Sequence, residues 1–271
     1  MNSSTNKFTD SHCHLDFSEF DANRHSIIQQ CSQLNIHRII VPAISPDNWE
    51  NVLNLTITVN SDKSLSTQAF QLFSCLGIHP WFLNNLTYEH LSQLALLVKQ
   101  HKNNLIAIGE TGIDGVIAKK ENNLVQQQQF FEFQLQLANQ YQLPIIVHHR
   151  QSHQHIVPLI KRANLSSGGI IHAFSGSYQQ AVEYIDLGFK LGVGATITYE
   201  RAQKTIKAIK RIPLSSLVLE TDAPAMPPSG LQGNINSPLN LPLIFQHLCN
   251  IRSEKPDKIA QQIENNINEL L

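Results

Sequence analysis

Eight short apolar runs, each followed by a segment of helical periodicity, constrain this chain more than any other feature. The runs are KFTDSHCHL (7–15), HRIIVPAI (37–44), FQLFSCLGI (70–78), NLIAIGETG (104–112), LPIIVHH (143–149), GGIIHAF (168–174), FKLGVGAT (189–196) and SLVLETDA (216–223). Helical patterns lie near 22–34, 46–59, 87–101, 123–141, 152–163, 177–187, 200–211 and 238–250, with one more over 255–270. The runs are nearly continuous in apolar character and lack the alternation of a half-solvated strand. They predict a parallel sheet covered on both faces. Eight strands with their helices in 271 residues predict a (β/α)8 TIM barrel, a doubly wound open sheet being the alternative. No repeat, low-complexity tract or linker divides the chain, so 1–271 reads as a single domain. The QQQQFF stretch (126–131) reads as the solvated face of one helix.

A barrel gathers the C-terminal ends of its strands at one mouth, where such folds build active sites. The polar residues of this chain fall at those ends. His12 and His14 close the first run, and His79 follows the third in GIHPW. Glu110 ends the fourth in AIGETGID, and His148 and His149 end the fifth in PIIVHHR. His172 lies in IIHAFSG, Glu220 and Asp222 in LVLETDAP. On a strand, side chains two apart share a face, so the H-x-H of FTDSHCHLDF (8–17) aims both rings one way. By the same rule His148 and His149 diverge, which leaves open which of them joins the cluster. Each position alone has a plainer use: a helix cap for Glu110, a turn former for Asp222, a core imidazole for His172. The metal-type residues among them, His12, His14, one of His148 and His149, His172, Glu110 and Asp222, bring four histidines and two carboxylates to one point. Acids so crowded repel one another and desolvate badly unless cations join them. Mixed imidazole and carboxylate donors suit zinc or manganese and also hold magnesium or nickel. Six donors exceed what one open catalytic ion takes, so two divalent metal ions sharing a carboxylate are expected.

Net charge is −1 with histidine neutral, which excludes a global basic field that would draw in nucleic acid. The four cysteines, Cys13, Cys31, Cys75 and Cys249, form no C-x-x-C pair and read as reduced thiols of a cytoplasmic protein. The opening MNSSTNKF lacks the apolar core of a signal peptide, and no run is long enough to span a bilayer. No obligate protein partner is evident.

The blocks DSHCHLD, GIHP, IGETGID, PIIVHHR, IIHAFSG and LVLETDAP resemble the signature blocks of the TatD-related metal-dependent hydrolases, (β/α)8 members of the amidohydrolase superfamily. The resemblance runs from about residue 8 to 265. GVGATITYERAQKT and ETDAPAMPPSGLQG bring the chain closest to the YjjV branch. The resemblance implies that His12 and His14 bind a first metal, that Glu110 bridges, and that His148 and His172 bind a second. Asp222 would bind the first metal and orient or deprotonate the attacking water. It implies phosphodiester hydrolysis, with DNA, particularly DNA ends, or a small phosphodiester as substrate. Two positions depart from the pattern. Gly115 follows GETGID where a bulky residue is usual, and Ser237 in GNINSP stands where a cation is expected.

His79, Arg150 and His153 are candidates to hold a phosphate. The last two directly follow the fifth run, and arginine matches phosphate through its planar fork. Plainer uses are a rim ion pair for Arg150 and a solvated first-turn position for His153. Lys204, Lys207 and Arg211 share a helical face that could track a DNA backbone, although an outer barrel helix reads the same way. Two rival functions remain. One is hydrolysis of a C–N bond in a small molecule, as elsewhere in that superfamily. The other is a non-hydrolytic barrel binding phosphorylated ligands through glycine loops such as GVGAT.

Overall fold

The computed structural model describes residues 6–62 and 70–270, so the polar opening stretch begins outside the described residues. Eight strands form one sheet: β1 (Phe8–Asp10), β2 (Ile36–Pro42), β3 (Gln71–Leu76), β4 (Leu105–Asp114), β5 (Ile145–Arg150), β6 (Gly169–Ile171), β7 (Phe189–Val193) and β8 (Leu217–Leu219). Each pairs in parallel with the next in sequence order. β1 meets β8 through Ser11 N–H to Leu219 O at 2.9 Å and a parallel bridge between Cys13 and Ala223. The sheet therefore curls into the predicted (β/α)8 barrel.

The helices are α1 (Arg24–Gln33), α2 (Trp49–Ser61), α3 (Tyr88–His101), α4 (Gly115–Glu121), α5 (Leu124–Tyr141), α6 (His153–Ala163), α7 (Tyr178–Ile185), α8 (Gln203–Arg211), α9 (Leu241–Ile251) and α10 (Pro256–Asn268). α3 shows how local sequence sets them. Thr87 and His90 close a capping box at its start, and Leu91, Leu94 and Val98 form its buried stripe. α4 was not foreseen. Asp114 caps it, its Oδ1 accepting from Val116 N and Ile117 N at 2.8 and 3.0 Å.

Inside and outside of the barrel separate cleanly. Ile39 and Val41 belong to the large cluster that strands share with helices, whereas Ile40 packs with Cys75, Ala107 and Ile146 from the next three strands. Alternation along β2 thus sends Ile40 to the interior, where each such buried side chain contributes about 1.5–3 kcal/mol.

The glutamine stretch is corrected at one of its four glutamines: Gln129 is exposed, but Gln127 is buried, as is Gln134 beyond the stretch. Gln127 and Gln134 of α5 are fully buried, on the same stripe as Phe130, Phe131 and Leu135. Gln134 accepts from Ile78 N at 2.8 Å and donates to Ile78 O at 3.2 Å, and Gln127 accepts from Asp114 N at 2.9 Å. Their amides satisfy backbone where β3 and β4 leave the ladder, which is why polar side chains occupy a core face.

Candidate active site

A cavity of about 700 Å³ opens at the C-terminal ends of the strands, lined among others by His14, His79, Glu110, His148, His172 and Asp222. β1 ends at Asp10, so His12 and His14 lie beyond the regular strand. Their rings still converge, with Nε2 atoms 3.3 Å apart, because Cys13 and Asp222 N–H (to His12 O, 2.9 Å) tie this stretch to the end of β8.

Glu110 is the hub. Its Oε2 lies 3.1 Å from His12 Nε2 and 3.5 Å from His14 Nε2. Its Oε1 lies 3.2 Å from His148 Nδ1, 3.3 Å from His79 Nε2 and 3.9 Å from His172 Nε2. Asp222 Oδ1 faces the same space, 3.7 Å from His14 Nε2, 3.7 Å from His172 Nε2 and 3.8 Å from His12 Nε2. Asp222 stands in left-handed backbone, at φ 56°, a conformation that aspartate and asparagine tolerate better than most residues. Three groups of side chains bring ligand atoms within 4.8 Å of one another: His12, His14 and Glu110; His12, His172 and Asp222; and His79, Glu110 and His148.

Hydrogen bonding divides these imidazoles into two kinds. His14 Nδ1 faces the Pro42 carbonyl oxygen at 3.2 Å, which only accepts, so Nδ1 carries the hydrogen and Nε2 offers a bare lone pair to the cluster. At His79 the order reverses. Nδ1 accepts from Trp81 N–H at 3.1 Å, leaving the hydrogen on Nε2, aimed at Glu110. Proximity groups His79 with Glu110 and His148, but its tautomer makes it a donor to oxygen rather than a ligand.

Charge points to cations as well. Burial, reinforced by the neighbouring His172, holds His12 well below the usual imidazole range, and burial holds His14 down to about 4. Burial also pushes the Asp222 carboxyl up to about 7. Glu110 stays well below the carboxylate range despite its burial, through His79 and His12. Burial works against charge on His172, yet Glu220, Asp222 and Glu110 push it up to about 10. The cluster therefore holds neutral imidazole lone pairs beside ionised carboxylate, and it keeps a proton where anions crowd. That donor set fits divalent cations, which would take the place of that proton.

Two carboxylates outside the expected ligand set face the outer nitrogens: Asp114, which the sequence did not single out, and Glu220, which it placed only at the end of the eighth run. Asp114 Oδ2 lies 3.1 Å from His148 Nε2 and also accepts from Trp81 Nε1 at 2.7 Å. Although burial opposes it, the hydrogen bond from His148 keeps Asp114 below the usual carboxylate range. Glu220 Oε1 lies 3.2 Å from His172 Nδ1, close enough for charge pairing though not aligned as a hydrogen bond, and accepts from Ala173 N at 2.5 Å. Glu220 is fully buried, and its Oε2 has no partner. A Cβ at Gly192 would fall on that carboxylate, so the glycine of GVG makes the slot that Glu220 occupies. Carboxylates behind ligating imidazoles fix ring orientation and raise basicity. Gly192→Ala should evict Glu220 without altering any polar group and weaken divalent-ion affinity by about 10–100-fold. Chelator competition measures this; unchanged affinity with a normal Tm would show that Glu220 does not support His172.

The structure also sorts the remaining candidates. His148, not His149, enters the cluster; His149 packs against Phe174 and Tyr184 and is held down to about 3 by burial. Arg150 lines the cavity with its side chain half exposed, 3.7 Å from Asp114. His153 does not line the cavity, because the first turn of α6 presents its Nε2 to Glu183 on α7 at 2.9 Å. Arg211 covers the Tyr178 ring at 3.8 Å, and neither it nor Lys204 or Lys207 lines the cavity. Gly115 has no room for the expected bulky side chain, since a Cβ there would strike the Gln151 carbonyl oxygen. Ser237 caps the turn Pro238–Asn240, accepting from Leu239 N at 3.3 Å. Buried Asn236 staples the loop before it, donating to Thr221 O and Ala225 O, both at 2.8 Å. The four cysteines are free. No helix among the described residues is long and apolar enough to cross a membrane.

Comparison with known proteins identifies the family and the fold. The family model of TatD related DNase matches residues 9–271. The uncharacterized metal-dependent hydrolase YjjV of Escherichia coli strain K12 is 39% identical over 260 residues, 96% of each chain. The crystal structure of YjjV superposes with a TM-score of 0.91 over 98% of both chains, at 38% identity. The human deoxyribonuclease TATDN3 is 25% identical over 93% of this chain and 90% of its own.

Proposed function

The chain belongs to the TatD-related DNase family of metal-dependent hydrolases, and from that premise we propose that it hydrolyses phosphodiester bonds at the ends of DNA with two divalent cations. The observation that carries the reading is the division of Glu110. One oxygen faces His12 and His14, and the other faces His148 and His172, as a carboxylate shared between two ions would. His12, His14 and Asp222 would hold one ion, His148 and His172 the other, with Glu110 common to both. Zinc, manganese and magnesium all suit these donors. Ions bound there would acidify a water and neutralise phosphoryl oxygens.

The chain's own groups supply the rest. Asp222 orients the water and takes its proton. His79 donates Nε2–H to a phosphoryl oxygen, its tautomer fixed by the Trp81 amide. Arg150 at the rim offers a fork to the flanking phosphate. The barrel below is packed with side chains such as Ile40 and Ile146, so a strand cannot thread through, and a chain end fits the cup better than an internal bond. The human relative is named a deoxyribonuclease, which supports DNA as the substrate class.

A substrate panel tests the reading. Protein loaded with zinc, manganese or magnesium should hydrolyse bis-p-nitrophenyl phosphate and shorten single-stranded DNA from one end. Blocking that end should stop it, and amide substrates should give no turnover. Cleavage of amides with inert phosphodiesters would replace this reading with C–N hydrolysis.

A further inference from the structure

The mouth above the candidate metal centre is two-sided. β8, β1, β2 and β3 are neighbours around the barrel, and the loops that follow them line one half of the mouth with Phe17, Ile44, Trp81, Phe82, Met226 and Ile235. Among the described residues, Glu19 is the one charged residue those loops add to the lining outside the metal cluster. Trp81, Phe82, Met226 and Ile235 are 45, 41, 40 and 60% exposed. The other half, from the end of β5 and the loops after β6 and β7, offers His149, Arg150, Ser175 and Thr196.

Large apolar side chains gathered in the open around a cavity are costly to leave in water and mark where a ligand covers them. The complementary ligand is itself two-sided. It carries an anion for Arg150 and a planar, weakly hydrated group for the Trp81 and Ile235 side. Among the described residues, Arg150 is the one arginine or lysine of the lining, which matches one flanking phosphate rather than a long polyanion, and the basic face of α8 lies outside the lining. A nucleotide unit has this shape, since every base presents a π-face that stacks on aromatic and apolar side chains.

Resting on the phosphodiester reading above, we propose that the mouth between the β8 and β3 loops is a subsite for the nucleobase beside the scissile phosphate. The substrate is then recognised as a base-bearing nucleotide rather than as a bare sugar–phosphate chain.

Calorimetry on the metal-loaded protein tests this with two probes, thymidine 5′-monophosphate and deoxyribose 5-phosphate. The thymidine compound should bind about tenfold more tightly, the lower range for one stacked base. The double variant Met226→Ser/Ile235→Ser should bring the ratio close to one. Leu96→Ser, which removes an equally exposed apolar side chain from the outer helix α3, should leave the ratio unchanged. Equal binding of the two probes by the native protein overturns the subsite, as does a ratio insensitive to the double variant. Cleavage of dithymidine monophosphate is followed separately. Absent cleavage with the base preference intact would remove the phosphodiester reading and keep the subsite. Cleavage without the preference would do the reverse.

Discussion

Glu110→Gln should lower kcat by about 10⁴-fold or more, the scale seen when one member of an interdependent catalytic unit is removed. It should also cut the metal retained after gel filtration. Glutamine keeps the volume and one carbonyl oxygen, but it loses the charge that both sides of the cluster face. His12 and His14 lie against one carboxylate oxygen, His148 and His79 against the other, so no single imidazole can compensate. The amide would also turn a hydrogen-bond donor toward one of these sets. Glu110 is 2% exposed, so water cannot replace it. Parallel measurement of metal content and far-UV circular dichroism separates loss of ions from loss of fold. A variant that keeps full metal and near-native turnover would sink the shared-carboxylate reading.

The barrel was legible because a parallel sheet under helices buries both faces of every strand, and buried strands read as continuous apolar runs. Their ends were less legible. The run at 7–15 yields only β1, Phe8–Asp10, because the ladder stops where the chain bends into the mouth. The rings of His12 and His14 meet as residues two apart should, with the Cys13 bridge to Ala223 keeping the chain extended beyond the end of β1. Alternation did separate His148 from His149 without saying which faces inward; the pairing of β5 with β4 decides that, setting His148 beside Gly112.

Other parts were invisible for a common reason: their partners are remote in sequence. Glu220 meets His172 and a vacancy left by Gly192, and no spacing rule connects those three. Asp114 reads as the tail of a motif or a cap, and it is both a cap and the partner of His148. The two-sidedness of the mouth exists only once β8 lies beside β1. Gln127 and Gln134 could have been found. They sit seven apart on the stripe of Phe130, Phe131 and Leu135, so helical period placed them in the core even though their polarity argued otherwise.

Asp222→Asn should lower kcat by roughly 10²–10⁴-fold, the usual contribution of a positioned acid or base, and leave the fold and the metal on the His148 side in place. The replacement is isosteric, and asparagine accepts the left-handed backbone at φ 56° as readily as aspartate. The backbone bond from residue 222 N–H to His12 O at 2.9 Å is unaffected. What disappears is the anionic oxygen 3.7–3.8 Å from His14, His172 and His12, and with it the group that accepts a proton from water. KM should move little, since the proposed phosphate contacts lie with His79 and Arg150. The contrast with Glu110→Gln is the informative part. One variant should lose its ions along with its rate, and the other its rate while keeping ions on the His148 side. Equal metal loss in both would make Asp222 a structural ligand, and near-normal kcat with retained metal would move the proton acceptor elsewhere in the cluster.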